Sequence, residues 1–311
     1  MHAILREPGN DWTHEGFRYP AQPQLPEFSN GHGFFFASLK RKPFVLNTHG
    51  SLLGFKRYLP SGTQRWPYQI YDGLTFKLPA RKANAIVVSS RLEFEDALEF
   101  GIEKNKLHII PMGVEVQVPG APENMKEGRP LNILFVGRLA RVRRIELLLQ
   151  SVSKLSIPFH LTIVGGEEKT SSLSKSGYRE ELLRLCRDLD LNNWVTFTGP
   201  KHQDELKTYY NTSDIFVYPS LYENLAQPVL EAAAAGLPVI ATRVGIASEL
   251  IQNEETGFIV TADSSEICQR IEQLRDMALR KNLGEKIREK ARLNYGWNSV
   301  MGSYLELYRS L

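Results

Sequence analysis

Cysteine is scarce in this chain of 311 residues, long apolar runs are missing, and neither sign of charge dominates. Cys186 and Cys268 are the only cysteines, and their separation fits neither the paired ligands of a zinc site nor a disulfide scaffold. The formal net charge of +3 is small for this length and excludes a globally basic nucleic-acid-binding protein. We therefore expect a protein of the reducing cytoplasm with no nucleic acid among its partners.

The sequence contains no apolar run long enough to cross a membrane. The run AAAAGLPVIA, at residues 232–241, is short and interrupted, whereas a spanning helix needs about 20 apolar residues. The first residues, MHAILREPGNDW, carry charges and a proline where a secretory signal would have an apolar core. Trp66 and basic residues such as Arg57 and Lys77 fit contact with a lipid surface, or else a solvated or buried role. The expectation is a soluble, cytoplasmic protein that at most touches the inner membrane surface.

Short apolar runs rich in β-branched residues recur along the chain, with amphipathic segments between them. Because these runs are continuously apolar rather than alternating, they predict strands buried on both faces, as in parallel sheets. Strands that alternate with helices in this way predict an α/β fold with doubly wound sheets. The predicted strands cover residues 44–49, 85–90, 107–111, 132–137, 160–165, 194–199, 215–220, 238–244 and 257–260. The predicted helices include residues 145–155, 179–189 and 204–210.

Glu223 and Glu231 stand eight positions apart, where the strand predicted over 215–220 gives way to a helix predicted over 228–235. In an open parallel sheet, ligands bind at the carboxyl ends of the strands, and a helix N-terminus binds anions. We expect the backbone N–H groups of residues 224–229 to hold a diphosphate, while the two carboxylates accept hydroxyl groups of a sugar nucleotide. The alternative is that Glu231 only complements the helix dipole and Glu223 is an exposed loop residue.

A second polar group follows the strand predicted over 132–137. In LNILFVGRLARVRR, Gly137 and Arg138 come directly after the strand, and Arg143 lies about one helical turn further. A guanidinium group matches phosphate oxygens well, so Arg138 is a candidate phosphate ligand. A surface salt bridge is the alternative, although Arg138 is expected at the same sheet edge as the two glutamates.

Taken together, these motifs resemble a known family. The stretches ILFVGRL, LTIVGG, VTFTGP, DIFVYPSLYEN, PVLEAAAAGLPVIATRVG and TGFIV follow one another over residues 131–262. They resemble the nucleotide-binding domain of the retaining GT-B glycosyltransferases of family 4. KPFVLNTHG, ANAIVVSS and LHIIPMGVE resemble later strands of that family's first domain, and YGWNSVMGSYLELYRSL resembles its last helix. The resemblance implies a GT-B fold, in which two Rossmann-like domains face a cleft.

The polar stretch VPGAPENMKEGRP, at residues 118–130, has the composition of a linker between two domains. By the resemblance, residues 1–118 form an acceptor-side domain and residues 119–130 the linker. Residues 131–292 then form the nucleotide-sugar-binding domain, and residues 293–311 a helix that crosses back to the first domain. Only about three strands are predicted before the linker, and neither an opening strand nor a Gly-rich loop is recognisable, so the first domain is expected to be truncated.

The resemblance also implies roles for individual residues. Glu223 would hold hydroxyls of the donor sugar near the reacting face, and Glu231 would hold the ribose. Arg138 would bind the diphosphate and stabilise the leaving group. The family usually has lysine where Arg143 stands, so a phosphate contact is implied there with altered geometry. His49, in NTHG, would face the donor sugar from the first domain.

The other implied donor-binding residues are Gly113, Gly137, Asn224, Leu225, Ala226 and Gln227. Two positions depart from the family pattern. Ala226 and Ile246 stand where the family commonly has glycine, and Ala226 is expected to add a methyl group where the backbone approaches the donor.

The implied function is transfer of a sugar, with retention, from a nucleoside-diphosphate sugar to a hydroxyl of a glycan, lipid-linked or small-molecule acceptor. No metal and no cofactor are expected, and polysaccharide biosynthesis is the expected setting. Two other interpretations stay open. One is a catalytically impaired remnant that binds a sugar nucleotide or a partner, and the other is a nucleotide-sugar epimerase of the same fold.

Overall fold

Two parallel β-sheets organise the computed structural model of the chain, which describes residues 13–14, 17–18, 27–29, 44–47, 77–115, 129–167 and 177–311. The first sheet has the strand order β3-β4-β5-β6, and the second has the order β12-β11-β10-β7-β8-β9. Every pairing within these two sheets is parallel. A separate antiparallel pair consists of β1 (Thr13–His14) and β2 (Phe17–Arg18).

The strands of the first sheet are β3 (Glu27–Ser29), β4 (Phe44–Asn47), β5 (Ala85–Val88) and β6 (Leu107–Ile109). Those of the second sheet are β7 (Leu131–Val136), β8 (Phe159–Val164), β9 (Val195–Gly199), β10 (Ile215–Tyr218), β11 (Val239–Thr242) and β12 (Phe258–Val260). All nine predicted strands are confirmed, with ends that differ by up to two residues. The expectation of about three strands before the linker was too low, because the three residues of β3 are too few to show a period.

The helices of the described chain are α1 (Leu78–Lys82), α2 (Arg91–Glu99), α3 (Ile145–Val152), α4 (Tyr178–Asp188), α5 (Gln203–Thr212), α6 (Gln227–Ala234), α7 (Ala247–Leu250), α8 (Ser264–Gln273), α9 (Met277–Tyr295) and α10 (Trp297–Ser310). The three predicted helices are confirmed as α3, α4 and α5. Within the described ranges, none of these helices is both long and apolar enough to cross a bilayer.

The second sheet is buried on both faces, as its uninterrupted apolar strands predict. Its strands form one hydrophobic core with side chains from helices α3, α6, α8 and α9. Every residue of β10 and β11 is buried, which explains why these strands show no alternation in the sequence.

Helix α10 packs on the first sheet rather than on the second. Its Val300 and Leu307 form a buried cluster with Val45 of β4 and Val87 of β5. Asn47 Nδ2 also donates a hydrogen bond of 2.9 Å to Tyr304 Oη, across 257 positions of sequence. Helix α10 therefore lies against the first sheet.

The chain passes between the two sheets at two adjacent points. Val114 N donates a hydrogen bond of 2.9 Å to Tyr295 O, and Val114 forms an isolated bridge with Gly296. Gly113 lies beside this crossing, where a Cβ atom would stand 2.5 Å from the indole ring of Trp297. A larger residue at position 113 would displace the Trp297 ring from this position.

Candidate active site

The order of the second sheet reverses between β7 and β10. From β7 the chain winds outward through β8 and β9, then returns to the other side of β7 and winds outward through β10, β11 and β12. Ligands of open parallel sheets bind at such a switch point, outside the carboxyl ends of the two central strands. Here those ends carry the loops 137–144 and 219–226, which contain Arg138, Arg143 and Glu223.

A close approach of two glycines shapes the first loop. Gly137 N donates a hydrogen bond of 2.9 Å to Val164 O. At Gly165, which has a φ of +147°, a Cβ atom would stand 1.8 Å from Gly137 O, so only glycine fits. Arg138 follows at the end of β7, and its side chain is exposed at the edge of the sheet, as predicted.

Two donors hold Glu223 through a single carboxylate oxygen. Tyr218 Oη donates a hydrogen bond of 2.5 Å to Glu223 Oε1, and Arg143 Nη1 forms an ion pair with the same oxygen. The Glu223 side chain keeps 17% of its surface exposed. The alternative of a freely exposed loop glutamate is therefore wrong, because Glu223 is held on the wall of the site.

Tyr218 was not among the predicted site residues. It is only 1% exposed, and its ring stacks on Phe135 at 5.6 Å and on Phe216 at 5.9 Å between centroids. Burial and the neighbouring Glu223 carboxylate raise the pKa of Tyr218 well above its ordinary value. The phenol is therefore a neutral donor at physiological pH.

Arg143 is buried rather than open to a ligand, being only 8% exposed. Besides the ion pair, its Nη1 lies 3.4 Å from Ser220 Oγ and 3.3 Å from Tyr222 O. Leu221 N donates a hydrogen bond of 2.7 Å to Val142 O, so the loops after β7 and β10 are joined directly. The Arg143 guanidinium is directed to the Glu223 loop, and its predicted contact with a phosphate stays a prediction.

Glu231 lies in α6, as predicted, and a second tyrosine holds it. Tyr210 Oη donates a hydrogen bond of 2.9 Å to Glu231 Oε2, and the Gln227 side chain also hydrogen-bonds the carboxylate. Burial raises the pKa of Glu231, while the bonds from Tyr210 and Gln227 oppose that rise. The Glu231 carboxylate is thus partly desolvated beside the switch point.

The start of α6 departs from the predicted helix in two details. The helix begins at Gln227, so Pro228 is its second residue instead of its first. Ala226 adopts a left-handed conformation, with φ 63° and ψ 55°, which costs a non-glycine residue about 1–2 kcal/mol. The N–H of Val229 donates to Ala226 O at 2.9 Å, which corrects the expectation that this N–H group faces a ligand.

Ala226 and Leu225 are fixed by the turn after β11. Ala226 is buried, and Leu225 O accepts a hydrogen bond of 2.8 Å from Ile246 N. At Gly245 a Cβ atom would stand 2.5 Å from Leu225 O. The extra methyl group of Ala226 is therefore accommodated in the core behind the loop.

Helix α2 of the first sheet contacts the Glu223 loop, an arrangement that the sequence does not reveal. Ser90 Oγ donates a hydrogen bond of 2.5 Å to Asn224 O. Tyr222 Oη lies within hydrogen-bond distance of Asp96 Oδ2, at 2.9 Å, and of Asn224 Oδ1, at 2.6 Å. These contacts, named here the α2 contact, connect the two sheets through residues on either side of Glu223.

The remaining predicted site residues divide into three groups. Asn224, Leu225 and Gln227 lie in or next to the Glu223 loop, as predicted, and Gly113 lies at the chain crossing. His49 falls outside the described residues. In the part of the chain that the structure describes, no three histidine, cysteine, aspartate or glutamate side chains are grouped so that they could share a metal ion.

Comparison with known proteins places this arrangement in a family. The sequence profile of the Glycosyl transferases group 1 matches residues 121–292, and that of Glycosyltransferase Family 4 matches residues 27–118. A D-inositol 3-phosphate glycosyltransferase from Acidothermus cellulolyticus is 28% identical over 243 residues, which are 73% of this chain and 53% of that protein. This chain thus spans about half the length of the curated relatives that it matches.

Solved structures give the same result for the fold. Sucrose-phosphate synthase from Thermosynechococcus elongatus matches with a TM-score of 0.75 and 26% identity, over 90% of this chain and 71% of that one. HepE from Anabaena, solved in complex with UDP and glucose, also matches with a TM-score of 0.75, at 19% identity over 90% of this chain and 74% of that one. The two-sheet architecture is the GT-B fold, and the chain belongs to the group 1 glycosyl transferases.

Proposed function

We propose that this chain transfers a sugar from a nucleoside-diphosphate sugar to a hydroxyl group of an acceptor. The observation that carries the proposal is the pair of glutamates, Glu223 and Glu231, each held by a buried tyrosine at the switch point of the second sheet. Carboxylates fixed in this way are suited to accept hydrogen bonds from sugar and ribose hydroxyls. The complexes of HepE with UDP and with UDP-glucose support a nucleotide sugar as the ligand.

In this proposal the donor lies across the carboxyl ends of β7 and β10. The diphosphate binds Arg138, whose exposed guanidinium favours an anion. Glu231 accepts the ribose hydroxyls, and Glu223 accepts hydroxyls of the donor sugar. As the glycosidic bond breaks, negative charge develops on the departing diphosphate, and Arg138 stabilises that charge.

We further propose that the anomeric configuration is retained and that no metal ion or cofactor is required. The acceptor hydroxyl then attacks the anomeric carbon from the face that the diphosphate leaves, and its proton passes to the leaving group. Because a curated relative is named a D-inositol 3-phosphate glycosyltransferase, a cyclitol phosphate is the first acceptor to test, ahead of glycan and lipid-linked hydroxyls. NMR of the product's anomeric proton tests retention.

Calorimetric titration with UDP, GDP and ADP in the presence of EDTA tests the donor site. We expect one nucleotide to bind with a Kd of about 1 μM, or roughly −8 kcal/mol. If none of the three binds, with or without Mg²⁺, the proposed function is wrong. Binding that appears only with Mg²⁺ would refute metal independence alone.

Substitution of Glu223 tests the chemistry separately. Glu223→Gln keeps the size and an acceptor oxygen for Tyr218 but removes the charge, so we expect the transfer rate to fall by about 100-fold or more. The affinity for the nucleoside diphosphate, which does not contain the donor sugar, should stay within about threefold. Glu306→Gln, at an exposed glutamate of α10, is the matched control. A Glu223→Gln chain with the wild-type transfer rate would contradict the role given to Glu223.

A further inference from the structure

The start of helix α2 is capped by a carboxylate from the other half of the chain. Arg91 is the first residue of α2, and Arg91 N donates a hydrogen bond of 2.7 Å to Glu249 Oε1 of α7. The first N–H groups of a helix have no acceptor within the helix itself. The Ser90 hydroxyl satisfies one of them, because it accepts a hydrogen bond of 3.2 Å from Glu93 N. Glu249, which lies 158 positions away in the sequence, satisfies another.

The turn that carries Glu249 also holds the Glu223 loop. Ile246 N, three positions before Glu249, donates a hydrogen bond of 2.8 Å to Leu225 O. The residue before α2 reaches the same loop directly, since its hydroxyl donates to Asn224 O, one position before Leu225. The start of α2 is therefore joined to the Glu223 loop by two routes, one direct and one through Glu249 and its turn.

The hydrogen bond to Glu249 is made by the backbone of Arg91, while the Arg91 side chain has other partners on α2. Its Nε lies 3.4 Å from Glu95 Oε1, and its Cζ lies 5.3 Å from the centroid of the Phe94 ring. Glu249 itself is partly buried. A substitution that removes the Arg91 N–H can therefore be compared with one that removes only the Arg91 side chain.

From this geometry we infer that Glu249 is a positioning residue, which holds helix α2 of the first sheet against the Glu223 loop. The inference rests on the proposed function, because the placement of α2 matters for activity only if the acceptor and the donor meet between the two sheets. Glu249 can cap α2 only when the two halves are docked, so its carboxylate stabilises the docked arrangement. A nucleoside diphosphate binds the second sheet alone, so we expect Glu249 to affect transfer and not nucleotide affinity.

The first experiment removes the donor of this hydrogen bond without disturbing α2. Proline suits the first position of a helix, where an N–H group has no acceptor within the helix. Ser90 is extended, with φ −156° and ψ 167°, which is the conformation that a residue before proline prefers. Arg91→Pro therefore deletes the hydrogen bond to Glu249 and keeps the helix. Arg91→Ala is the matched control, because it loses the side chain and keeps the N–H group.

We measure kcat/KM for sugar transfer and the Kd for the nucleoside diphosphate in both variants. For Arg91→Pro we expect kcat/KM to fall by about tenfold, since a hydrogen bond to a charged group is lost, with the Kd within about threefold. Arg91→Ala should stay within about twofold of the wild type in both quantities. The double variant with Glu249→Ala should be no slower than either single variant, because both substitutions remove the same hydrogen bond.

Hydrogen exchange of the Arg91 amide measures the contact directly. In Glu249→Ala we expect this amide to exchange about tenfold faster or more, because its acceptor is lost. The Phe94 amide, which donates to Ser90 O at 3.0 Å within α2, should keep its rate. Glu255→Ala, at an exposed glutamate of the turn after α7, is the matched control and should change neither rate. A role of Glu249 confined to the second half of the chain would not move the Arg91 amide.

The outcomes separate this inference from the proposed function. If the wild type transfers sugar but Arg91→Pro and Glu249→Ala transfer it as fast as their controls, the inference is wrong and the proposed function stands. A Glu249→Ala chain with a raised Kd for the nucleoside diphosphate also overturns the inference, as does an Arg91 amide that exchanges equally fast in Glu249→Ala and Glu255→Ala. A wild type that neither binds a nucleotide nor transfers sugar refutes the proposed function, and the role of Glu249 in transfer with it.

Discussion

Removal of the Tyr222 hydroxyl tests whether the α2 contact holds the two sheets in the arrangement needed for the proposed sugar transfer. In Tyr222→Phe the ring remains, but the hydroxyl near Asp96 Oδ2 and Asn224 Oδ1 is lost. Asp96 is only 2% exposed, so water does not replace the missing donor easily. The substitution therefore weakens the contact between α2 and the Glu223 loop without changing either glutamate.

The size of the effect follows from the burial of Asp96. A hydrogen bond to a charged group contributes about 1.5–3 kcal/mol, but Asp96 has further interactions of its own, so the loss lies nearer 1–2 kcal/mol. That free energy changes the ratio of joined to separated arrangements by about 5- to 30-fold. We expect kcat/KM to fall by up to the same factor, while the Kd for the nucleoside diphosphate, which needs only the second sheet, stays constant.

Single-molecule energy transfer measures the distance between the two sheets directly. The dyes are placed at Lys104 and Lys281, which are exposed positions in the two halves of the chain. We expect Tyr222→Phe to broaden the distance distribution toward larger values. A double-mutant cycle with Asp96→Asn should show that the two substitutions are not additive. The control is Tyr209→Phe, at a partly exposed tyrosine of α5. If Tyr222→Phe has the same distances and the same kcat/KM as this control, the reasoning about the α2 contact is refuted.

Two further predictions concern the second sheet. Gly165→Ala should lower the free energy of unfolding in urea by more than about 3 kcal/mol, because its Cβ would overlap Gly137 O at a positive φ. The control is Gly302→Ala, at a helical position with open space around it, which should raise that free energy by about 0.5–1 kcal/mol. Equal effects of Gly165→Ala and Gly302→Ala would contradict the packing argument. The other prediction concerns Glu231, whose pKa is raised by burial. As the pH rises from the ordinary carboxyl range through this raised pKa, the folded state must ionise a buried acid. The free energy of unfolding of the wild type therefore falls over that pH range. Glu231→Gln keeps an acceptor for the Tyr210 hydroxyl but cannot ionise. Above this pH range it should melt at a higher temperature than the wild type, and the difference should shrink as the pH falls. A difference in melting temperature that does not depend on pH would contradict the prediction.

The sequence predicted the second sheet almost completely because buried parallel strands have a local signature. Continuous apolar character marks each strand without reference to its neighbours, and a glycine or proline often marks its end. The positions of Glu223 and Glu231 could be predicted for the same reason, since a strand end and a helix start are both local features. Strand β3 was missed because its three residues, EFS, carry no measurable pattern.

The partners of the site residues could not be predicted, because they depend on contacts between distant residues. Tyr218 has the pattern of a core strand residue, and only the fold shows that its hydroxyl reaches Glu223. Tyr222 and Asp96 are 126 positions apart, and neither has a local feature that indicates the other. The burial of Arg143 was missed for a related reason, since a sequence position does not show which way a long side chain turns.

The packing of α10 on the first sheet has a consequence for biosynthesis. One apolar face of that sheet, with Val45 and Val87, is covered by Val300 and Leu307. At about 5–20 residues per second, the ribosome needs on the order of 10–40 s to make the roughly 200 residues between these partners. During that interval Val300 and Leu307 have not been made, so they cannot yet cover this face. Elongation speed over residues 90–300 should therefore affect the yield of folded protein more than it affects the stability of the finished molecule.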